Sequence, residues 1–398
     1  MLQISDRVQS LSSSATLAMS QKSAELKAQG IDVINMSIGE PDFNTPEFIK
    51  EAAKRAIDEN FSHYPPVAGY MSLRKAIVDK LARENKIEYA PDQIVVGNGA
   101  KQALCNVVLS VVNPGDEVVI PMPAWVSYVE MVKLAGGVPV TVATGLEQGF
   151  KITPEQLEKA ITPRTRLLMI CSPSNPTGAI YSAAELQALA DVLARYPEVV
   201  ILSDEIYEHI SYVGHPASIV DCEGMKERTV IINGVSKSYA MTGWRIGYMA
   251  GPLSIAKAVN KLQGQYTSAC SSIAQKAAEA AYTGPQECVA EMREAFRRRR
   301  GLIMELAVDV PGWKFTEPEG AFYFFPDVTQ LLGTKTPAGK SIETSGDYCM
   351  YLLEEAQVAT VDGAAFGAPG YIRLSYATSD ENIREAMRRI REATSRLQ

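Results

Sequence analysis

The stretch Asn233-Gly-Val-Ser-Lys-Ser-Tyr-Ala-Met-Thr-Gly-Trp-Arg-Ile-Gly-Tyr248 sets one lysine, Lys237, among small and hydroxylated residues. Residues 229–233 have the length and β-branched content of a buried strand, so Lys237 is expected in a short loop at the end of that strand. Arg245 follows closely, and a neighbouring positive charge together with desolvation lowers the pKa of a lysine. The neutral amine of such a lysine can form an imine with a carbonyl group. The alternative is a solvated surface lysine, the usual environment of this residue type.

Six further apolar runs have the same format as residues 229–233, and helical or Gly/Pro-rich segments separate them. They cover residues 94–97, 116–120, 138–144, 166–171, 199–203 and 246–250. Continuous apolar strands joined by helical crossovers predict an α/β fold with a seven-stranded, mostly parallel sheet that is covered on both faces. Ligands of such sheets bind beyond the carboxyl ends of the strands.

Strands become rarer after Leu253. The short runs 322–325, 358–361 and 372–375, with helices expected over 287–308 and 380–397, predict a smaller α+β domain. We expect the N-terminal segment to complete it. The predicted boundaries are therefore 40–285 for a large cofactor-binding domain, and 1–39 together with 286–398 for the small domain.

Composition limits the partners and the compartment. The 398 residues carry a net charge of −7, which argues against a nucleic-acid or anionic-membrane surface. Six cysteines without a Cys-x-x-Cys pair, and only three histidines, argue against a metal site and favour reduced thiols. No apolar stretch is long enough for a signal peptide or a membrane span. We expect a cytoplasmic protein whose partners are small molecules.

Three further motifs follow predicted strands. Gly99, Ala100 and Lys101 open a helix, where free amides and the helix dipole favour a phosphate, although an ordinary turn fits the same residues. Asp204 stands at a strand end with Tyr207 three residues later; a carboxylate there needs a cationic partner, unless it only caps a helix. Asn175 lies in the loop Ser172-Pro-Ser-Asn-Pro-Thr-Gly178, whose prolines and glycine fix an unusual backbone.

An imine lysine, a phosphate cradle and a carboxylate for a pyridine nitrogen are the parts of a pyridoxal 5'-phosphate site. Four motifs in order carry a resemblance to fold-type I pyridoxal phosphate enzymes of the class I aminotransferases, specifically the bacterial aspartate aminotransferase branch. They are Asn175-Pro-Thr-Gly178, Asp204-Glu-Ile-Tyr207, Ser236-Lys-Ser238 through Gly243-Trp-Arg-Ile-Gly247, and Arg373-Leu-Ser-Tyr-Ala377. The resemblance extends from about Arg7 to the C-terminus.

The resemblance implies a role for each matching residue. Lys237 would bond to the cofactor, Asp204 would pair with the pyridinium nitrogen, and Arg373 would bind the substrate α-carboxylate. The other implied contacts are Tyr207 and Asn175 at the phenolic oxygen, Trp125 on the ring, Gly99, Ala100, Lys101 and Arg245 at the phosphate, Tyr64 at the phosphate of a second subunit, and Gly39 in a loop over the substrate. Many relatives carry a serine where this chain has Gly234, so that hydroxyl is absent or replaced by Ser236.

The implied function is transfer of the amino group of aspartate to 2-oxoglutarate by a ping-pong mechanism, in a homodimer with shared active sites. Lys101 is expected to meet the distal carboxylate of aspartate with help from Thr16, unless it points to solvent. Prephenate, alanine or aromatic amino acids are alternative substrates, because the cofactor residues do not set specificity. A lyase or synthase on the same scaffold is a further alternative. A ligand-sensing regulator would need an added DNA-binding module.

Overall fold

The computed structural model describes residues 4–398. Its helices are α1 Asp6–Gln9, α2 Ala15–Ala28, α3 Glu47–Asp58, α4 Met71–Lys80, α5 Ala100–Val111, α6 Ser127–Leu134, α7 Pro154–Ala160, α8 Ala183–Leu193, α9 Leu253–Tyr266, α10 Ser272–Thr283, α11 Glu287–Ala307, α12 Ser345–Glu355 and α13 Asp380–Thr394. Its strands are β1 Ile34–Asn35, β2 Ile94–Asn98, β3 Glu117–Met122, β4 Val138–Ala143, β5 Thr165–Cys171, β6 Val200–Asp204, β7 Thr229–Gly234, β8 Ile246–Ala250, β9 Tyr323–Phe324, β10 Val358–Ala359, β11 Val361–Asp362 and β12 Ile372–Ser375.

A seven-stranded sheet forms the centre of the molecule, in the order β2-β8-β7-β6-β5-β3-β4. Only β8 runs antiparallel to its neighbours β2 and β7; the other pairs are parallel. Each of the seven apolar runs in the sequence forms one of these strands. The predicted seven-stranded, mostly parallel sheet is confirmed.

Helices cover both faces of this sheet, which explains the continuous apolar strands. In β7, Val230 and Ile232 pack in the core below α5 and α6, whereas Ile231 between them packs on the other face with α4 and α10. Both faces of the sheet are therefore shielded from solvent at β7. A polar residue at the end of such a strand is placed at the rim, where ligands can reach it.

Two small sheets lie outside the central one. Strands β11, β12 and β9 form an antiparallel sheet, and β1 pairs in parallel with β10. The pairing of Ile34 with Val358 brings the N-terminal segment beside the C-terminal part of the chain. An aromatic core, including Phe296, Phe322 and Phe324, joins these strands to α11 and α13.

The structure adds elements that the pattern did not predict. Helices α9 and α10 lie between residues 253 and 283, where the pattern predicts no helix, and α4 ends at Lys80 and continues as a π-helical turn over Leu81–Asn85. The helix predicted over 380–397 ends as α13 at Thr394, a difference of a few residues that is usual for frayed termini. No helix in residues 4–398 is long and apolar enough to cross a membrane.

Candidate active site

A cavity of about 380 Å³ opens at the carboxyl ends of β5, β6 and β7. Eleven predicted site residues and Thr16 line it: Gly39, Ala100, Lys101, Trp125, Asn175, Asp204, Tyr207, Ser236, Lys237, Arg245 and Arg373. Gly99 lies against Arg245 at its edge. Tyr64 is 97% exposed and does not line the cavity.

Lys237 projects into the cavity from the turn after β7. Its amine donates a hydrogen bond to the backbone oxygen of Gly39 over 2.6 Å. Burial lowers the pKa of Lys237 to about 8; Arg373 and Arg245 act in the same direction, and Glu40 and Asp204 oppose it. The amine therefore has a substantial neutral fraction near physiological pH, as a nucleophile or general base requires.

Asp204 ends β6 at the floor of the cavity. The Tyr128 hydroxyl donates to its Oδ2 over 2.6 Å, and the Ile206 amide donates to its Oδ1 over 3.3 Å. Burial raises the pKa of Asp204 to about 6, although these two hydrogen bonds and the charge of Lys237 favour the ionised form. A cation beside this carboxylate would be strongly bound, because the carboxylate is buried and its hydrogen-bond partners in residues 4–398, the Tyr128 hydroxyl and the Ile206 amide, are uncharged.

Tyr207 and Asn175 occupy the side of the cavity next to Asp204. The hydroxyls of Tyr207 and Tyr323 lie 2.7 Å apart. Asn175 accepts a hydrogen bond from Arg373 through Oδ1, over 2.9 Å, so the group it can offer to a ligand is its Nδ2 amide. Tyr207 and Asn175 thus present an O–H group and an N–H group to one side of the cavity.

The turn before α5 is the predicted phosphate cradle. Gly99 has φ +81°, and a Cβ there would lie 2.2 Å from the guanidinium of Arg245. The Gly99 amide already donates to Gly97 over 2.8 Å, so its contribution is the space left by the missing side chain. Ala100 and Lys101 are in the first turn of α5, whose amides have no acceptor within the helix.

Gly234 faces Gly247 across the β7–β8 pair. A Cβ at Gly234 would approach the Gly247 Cα to 2.7 Å and the Ile246 oxygen to 2.8 Å, so a serine does not fit at this position. The only hydroxyl of residues 234–236 is that of Ser236, which lines the cavity.

Arg373 is a buried cation without a carboxylate partner among the described residues. It is 2% exposed and donates to Asn175 Oδ1 and, over 2.6 Å, to the Ser37 backbone oxygen. Its Nε has no partner, and its guanidinium lies 4.5 Å from the centre of the Tyr323 ring. Because an unpaired buried charge is costly, this site is prepared for an anionic ligand, and a guanidinium suits a carboxylate.

Lys101 also lines the cavity and is exposed to solvent. Its ammonium lies 4.8 Å from the centre of the Trp125 ring, and Thr16 is nearby on the cavity wall. Burial lowers the pKa of Lys101, and Arg245 adds to the effect. The cavity is therefore lined by one buried cation, Arg373, and one exposed cation, Lys101.

The loop 37–45 covers the cavity and is tied on several sides. Besides the bonds of Ser37 and Gly39 to Arg373 and Lys237, its side chains make further bonds to residues 240–244 and to α11. These are Glu40 with Thr242 (2.9 Å), Asp42 with Arg299 of α11 (2.7 and 2.8 Å), and Thr45 with the Ala240 oxygen (2.8 Å) and the Trp244 indole (3.0 Å).

Sequence reasoning missed Tyr128 and Tyr323. Tyr128 lies in the first turn of α6, three residues after Trp125, and a spacing of three can bring two side chains together; the two rings meet edge to face at 5.6 Å. Tyr323 is the one hydroxylated ring in the run Phe322-Tyr-Phe-Phe325. Its bond to Tyr207 depends on the approach of β9 to the loop after β6, which local pattern does not contain.

These residues fit pyridoxal phosphate. Its pyridine nitrogen needs a carboxylate, its phosphate needs amides and a cation, and its aldehyde needs an amine. Asp204, the cradle before α5 with Arg245, and Lys237 supply these groups around one cavity. Only a glycine fits beside Arg245 at position 99, because a Cβ there would collide with the guanidinium that is expected to bind the phosphate.

Comparison with known proteins gives a consistent result. Residues 31–390 match the model of the family described as aminotransferase class I and II. The chain is 49% identical to an aspartate/prephenate aminotransferase of Nitrosomonas europaea, over 98% of this chain and 99% of that protein. It is 50% identical to an aspartate aminotransferase of Geobacillus stearothermophilus, with 98% of each chain covered.

Solved structures give the same picture. A crystal structure of the aspartate aminotransferase from Rhizobium meliloti superimposes with a TM-score of 0.97 at 46% identity, with 100% of each chain covered. The Thermus thermophilus aspartate aminotransferase with maleate has a TM-score of 0.92 at 43% identity, covering 99% of this chain and 100% of that chain.

Proposed function

The chain belongs to the family of class I and II aminotransferases, and from this premise we propose how its cavity acts on aspartate. The enzyme is a pyridoxal phosphate-dependent aminotransferase, and amino acids and keto acids are its substrates. Its activity is that of an aspartate aminotransferase. We assign 2-oxoglutarate as the acceptor, a dicarboxylate that matches the two cations lining the cavity.

The observation that carries the substrate assignment is the pair of cations Arg373 and Lys101. Arg373 is buried and unpaired by carboxylates, so it binds the α-carboxylate. Lys101, the exposed cation of the cavity, binds the distal carboxylate, and Thr16 on the cavity wall can donate a hydrogen bond. The Thermus thermophilus relative has been solved with maleate, which is also a dicarboxylate.

Binding of the cofactor is assigned to the other cavity residues. Asp204 holds the positive charge of the ring nitrogen, and Tyr128 keeps Asp204 ionised and oriented. Tyr207 and the Asn175 amide reach the phenolic oxygen, and Trp125 packs on the ring. The cradle of Gly99, Ala100 and Lys101 binds the phosphate together with Arg245 and Ser236.

Lys237 carries the proton transfers. When bound, pyridoxal phosphate supplies the electron sink that makes the Cα proton of the amino acid acidic. With a pKa of about 8, the Lys237 amine can take that proton and return it. The Gly39 oxygen at 2.6 Å holds the amine at the inner side of loop 37–45, which also excludes water from the reacting atoms.

We also propose the assembly and the domain limits. Tyr64 is 97% exposed, which supports a role at the phosphate of a second subunit in a homodimer. The pairing of β1 with β10 supports a small domain of residues 1–39 and 286–398 beside a large domain of 40–285. All six cysteines are free in the structure, which supports the proposed cytoplasmic location.

Replacement of Lys101 tests the substrate assignment. Loss of one partner of a desolvated charge pair costs about 2–5 kcal/mol, so Lys101→Ala should lower kcat/KM for aspartate by roughly a hundredfold or more. Phenylalanine and alanine have no distal carboxylate and should be much less affected. Equal losses for aspartate and phenylalanine would show that Lys101 serves the cofactor and not specificity.

Prephenate is the second candidate substrate, because a relative is named an aspartate/prephenate aminotransferase. Prephenate has two carboxylates, so the Lys101 variant cannot separate it from aspartate. Direct assay of the wild-type enzyme with prephenate as acceptor and aspartate or glutamate as donor decides this point. Absence of turnover with prephenate leaves aspartate as the substrate.

A further inference from the structure

A second polar cluster lies outside the cavity lining. The mechanism above uses none of its members. We define the clamp as Lys80, Glu84, Asn85, Glu208, His209 and Asn233. Lys80 is completely buried and Glu208 is 4% exposed. We propose that the clamp, through Ser238, positions Lys237 relative to Asp204, so that its members are positioning residues for the reaction. This inference rests on the proposed roles of Lys237 and Asp204.

The clamp joins the two loops that carry the catalytic groups. Glu208 and His209 directly follow Tyr207 in the loop after β6, and Asp204 is the last residue of that strand. Asn233 lies in β7, and Ser238 directly follows Lys237. Asn233 Nδ2 donates to Glu208 Oε1 over 2.7 Å, and His209 Nδ1 lies 2.8 Å from Ser238 Oγ. Lys237 is thus bracketed by two bonds to the loop of Asp204.

Residues at the end of α4 bond to Glu208 and His209. The Lys80 ammonium donates to Glu208 and, over 2.8 Å, to Asn85 Oδ1. Asn85 Nδ2 donates to Glu208 Oε2 over 2.8 Å, and Glu84 Oε2 lies 2.9 Å from His209 Nε2. Both oxygens of Glu208 and both nitrogens of His209 are therefore occupied.

The π-helical turn explains how one helix end makes all these contacts. Lys80 and Asn85 are five residues apart, and in an α-helix of about 3.6 residues per turn such side chains point in clearly different directions. The turn over Leu81–Asn85 is π-helical, with wider i→i+5 spacing that brings them to one side. An ordinary continuation of α4 would not present both groups to Glu208.

The clamp does not form a metal site. One ligand atom from each of Glu84, Glu208 and His209 lies within 4.8 Å of the others. The Lys80 ammonium already supplies the cation, however, at bonding distance of Glu208. Despite the cost of burial, the charge of Lys80 and the Asn85 bond keep the pKa of Glu208 low, at about 2. The carboxylate is therefore a permanent anchor point at working pH.

Three single variants of the holoenzyme test the proposal without touching the buried charges. An asparagine at 209 can place its amide where Nδ1 stands and keep the Ser238 bond, whereas a glutamine places its amide where Nε2 stands and keeps only the Glu84 bond. His209→Asn and His209→Gln are therefore matched, differing in which bond survives. Ser238→Ala removes the same bond from the other side.

We expect His209→Gln and Ser238→Ala to lower kcat for aspartate roughly tenfold with little change in KM, because Lys237 acts after the substrate has bound. His209→Asn should stay within about twofold of wild type. The second readout is the pH titration of the bound cofactor's absorbance, whose midpoint depends on the charges around the Lys237 nitrogen. It should shift in His209→Gln and Ser238→Ala and stay in place in His209→Asn.

A merely structural role would give a different pattern. The two His209 variants would then lower the melting temperature and kcat together, or leave both unchanged, and the absorbance midpoint would not distinguish them. Either result overturns the proposal. So does a Ser238→Ala enzyme whose kcat and absorbance midpoint equal those of the wild type. The absorbance readout needs no substrate, so it tests the clamp even if the wild-type enzyme fails to act on aspartate, which would instead refute the proposed substrate.

Discussion

At the scale of single residues, Asp204 shows how a buried group is kept ready for its ligand. Burial alone raises its pKa, and the Tyr128 hydroxyl at 2.6 Å is the strongest of the interactions that act against burial. The sequence pattern predicts Asp204 at the end of a strand, but it does not identify the hydroxyl that bonds to its carboxylate. That partner comes from α6, far away in the chain, so only the packed structure identifies it.

The Asp204 and Tyr128 pair predicts a pH dependence of cofactor binding. Asp204 must be ionised to hold the ring nitrogen, so affinity of the cofactor-free protein for pyridoxal phosphate should weaken as pH falls through about 6. Tyr128→Phe removes a bond that favours the ionised form, so the pKa rises and the weakening should begin at higher pH. Absorbance titrations at several pH values measure this. Tyr351→Phe is the control, because Tyr351 is a buried tyrosine of α12 that is bonded to Ala393 of α13; an identical shift there would contradict the assignment.

Gly234 gives a second prediction at this scale. The departure from relatives that carry a serine looked like a lost phosphate contact, but the structure leaves no room for a Cβ opposite Gly247. Gly234→Ser should therefore destabilise the protein by about 2 kcal/mol or more, without tighter cofactor binding. Gly301→Ser, on α11 with no atom within 4 Å of its Cβ position, should have a much smaller effect. Denaturant unfolding of the two variants gives the comparison, and a stable Gly234→Ser protein with tighter binding would refute the steric argument.

At the scale of elements, strands were easier to predict than the contacts between their ends. All seven central strands follow from apolar runs bounded by Gly, Pro and polar residues, since strands buried on both faces have no polar alternation to obscure them. The sequence pattern does not predict helices α9 and α10, and it cannot predict the π-helical turn after α4. That turn is stabilised by Glu208 and His209, which lie more than 120 residues later in the chain.

The bond between loop 37–45 and α11 carries a prediction of its own. Arg299 binds Asp42 through two nitrogens, and its neighbour Arg298 makes the same kind of bond to Asp380 without touching the loop. Arg299→Gln should loosen the loop over Lys237 and raise the KM for aspartate roughly tenfold. Arg298→Gln is the matched control and should leave KM within about twofold. Steady-state kinetics of both variants decide; equal effects would mean that the loop does not depend on Arg299.

At the scale of the whole molecule, the proposed dimer makes each cavity dependent on two chains. Tyr64→Ala and Lys237→Ala homodimers should both be nearly inactive, but a hybrid of the two would contain one cavity with Lys237 from one chain and Tyr64 from the other. Random exchange should restore about one quarter of all sites. Activity after subunit exchange, with hybrids verified by native mass spectrometry, measures this. Hybrids without activity would place Tyr64 outside the partner's cavity.

Local pattern in the sequence identified the chemistry, and the arrangement of distant segments completed it. Nine of the eleven predicted residues in the cavity lie at the edge of the central sheet where the carboxyl ends of its parallel strands come together; Gly39 and Arg373 do not. Thr16 and Arg373 come instead from the two ends of the chain. They reach the cavity through the pairing of β1 with β10, which no local pattern specifies.

The same pairing has a consequence for synthesis on the ribosome. The seven strands of the central sheet are complete once Ala250 has been made, so that sheet can form early. Strand β1 is among the first segments to emerge, yet its partner Val358 is made 324 residues after Ile34. At about 5–20 residues per second, the N-terminal segment waits roughly 15–65 s for that partner. The wall of the cavity that contains Thr16 is therefore translated first and assembled last, and a ribosome stalled before β10 would carry a folded sheet with an open, unfinished active site.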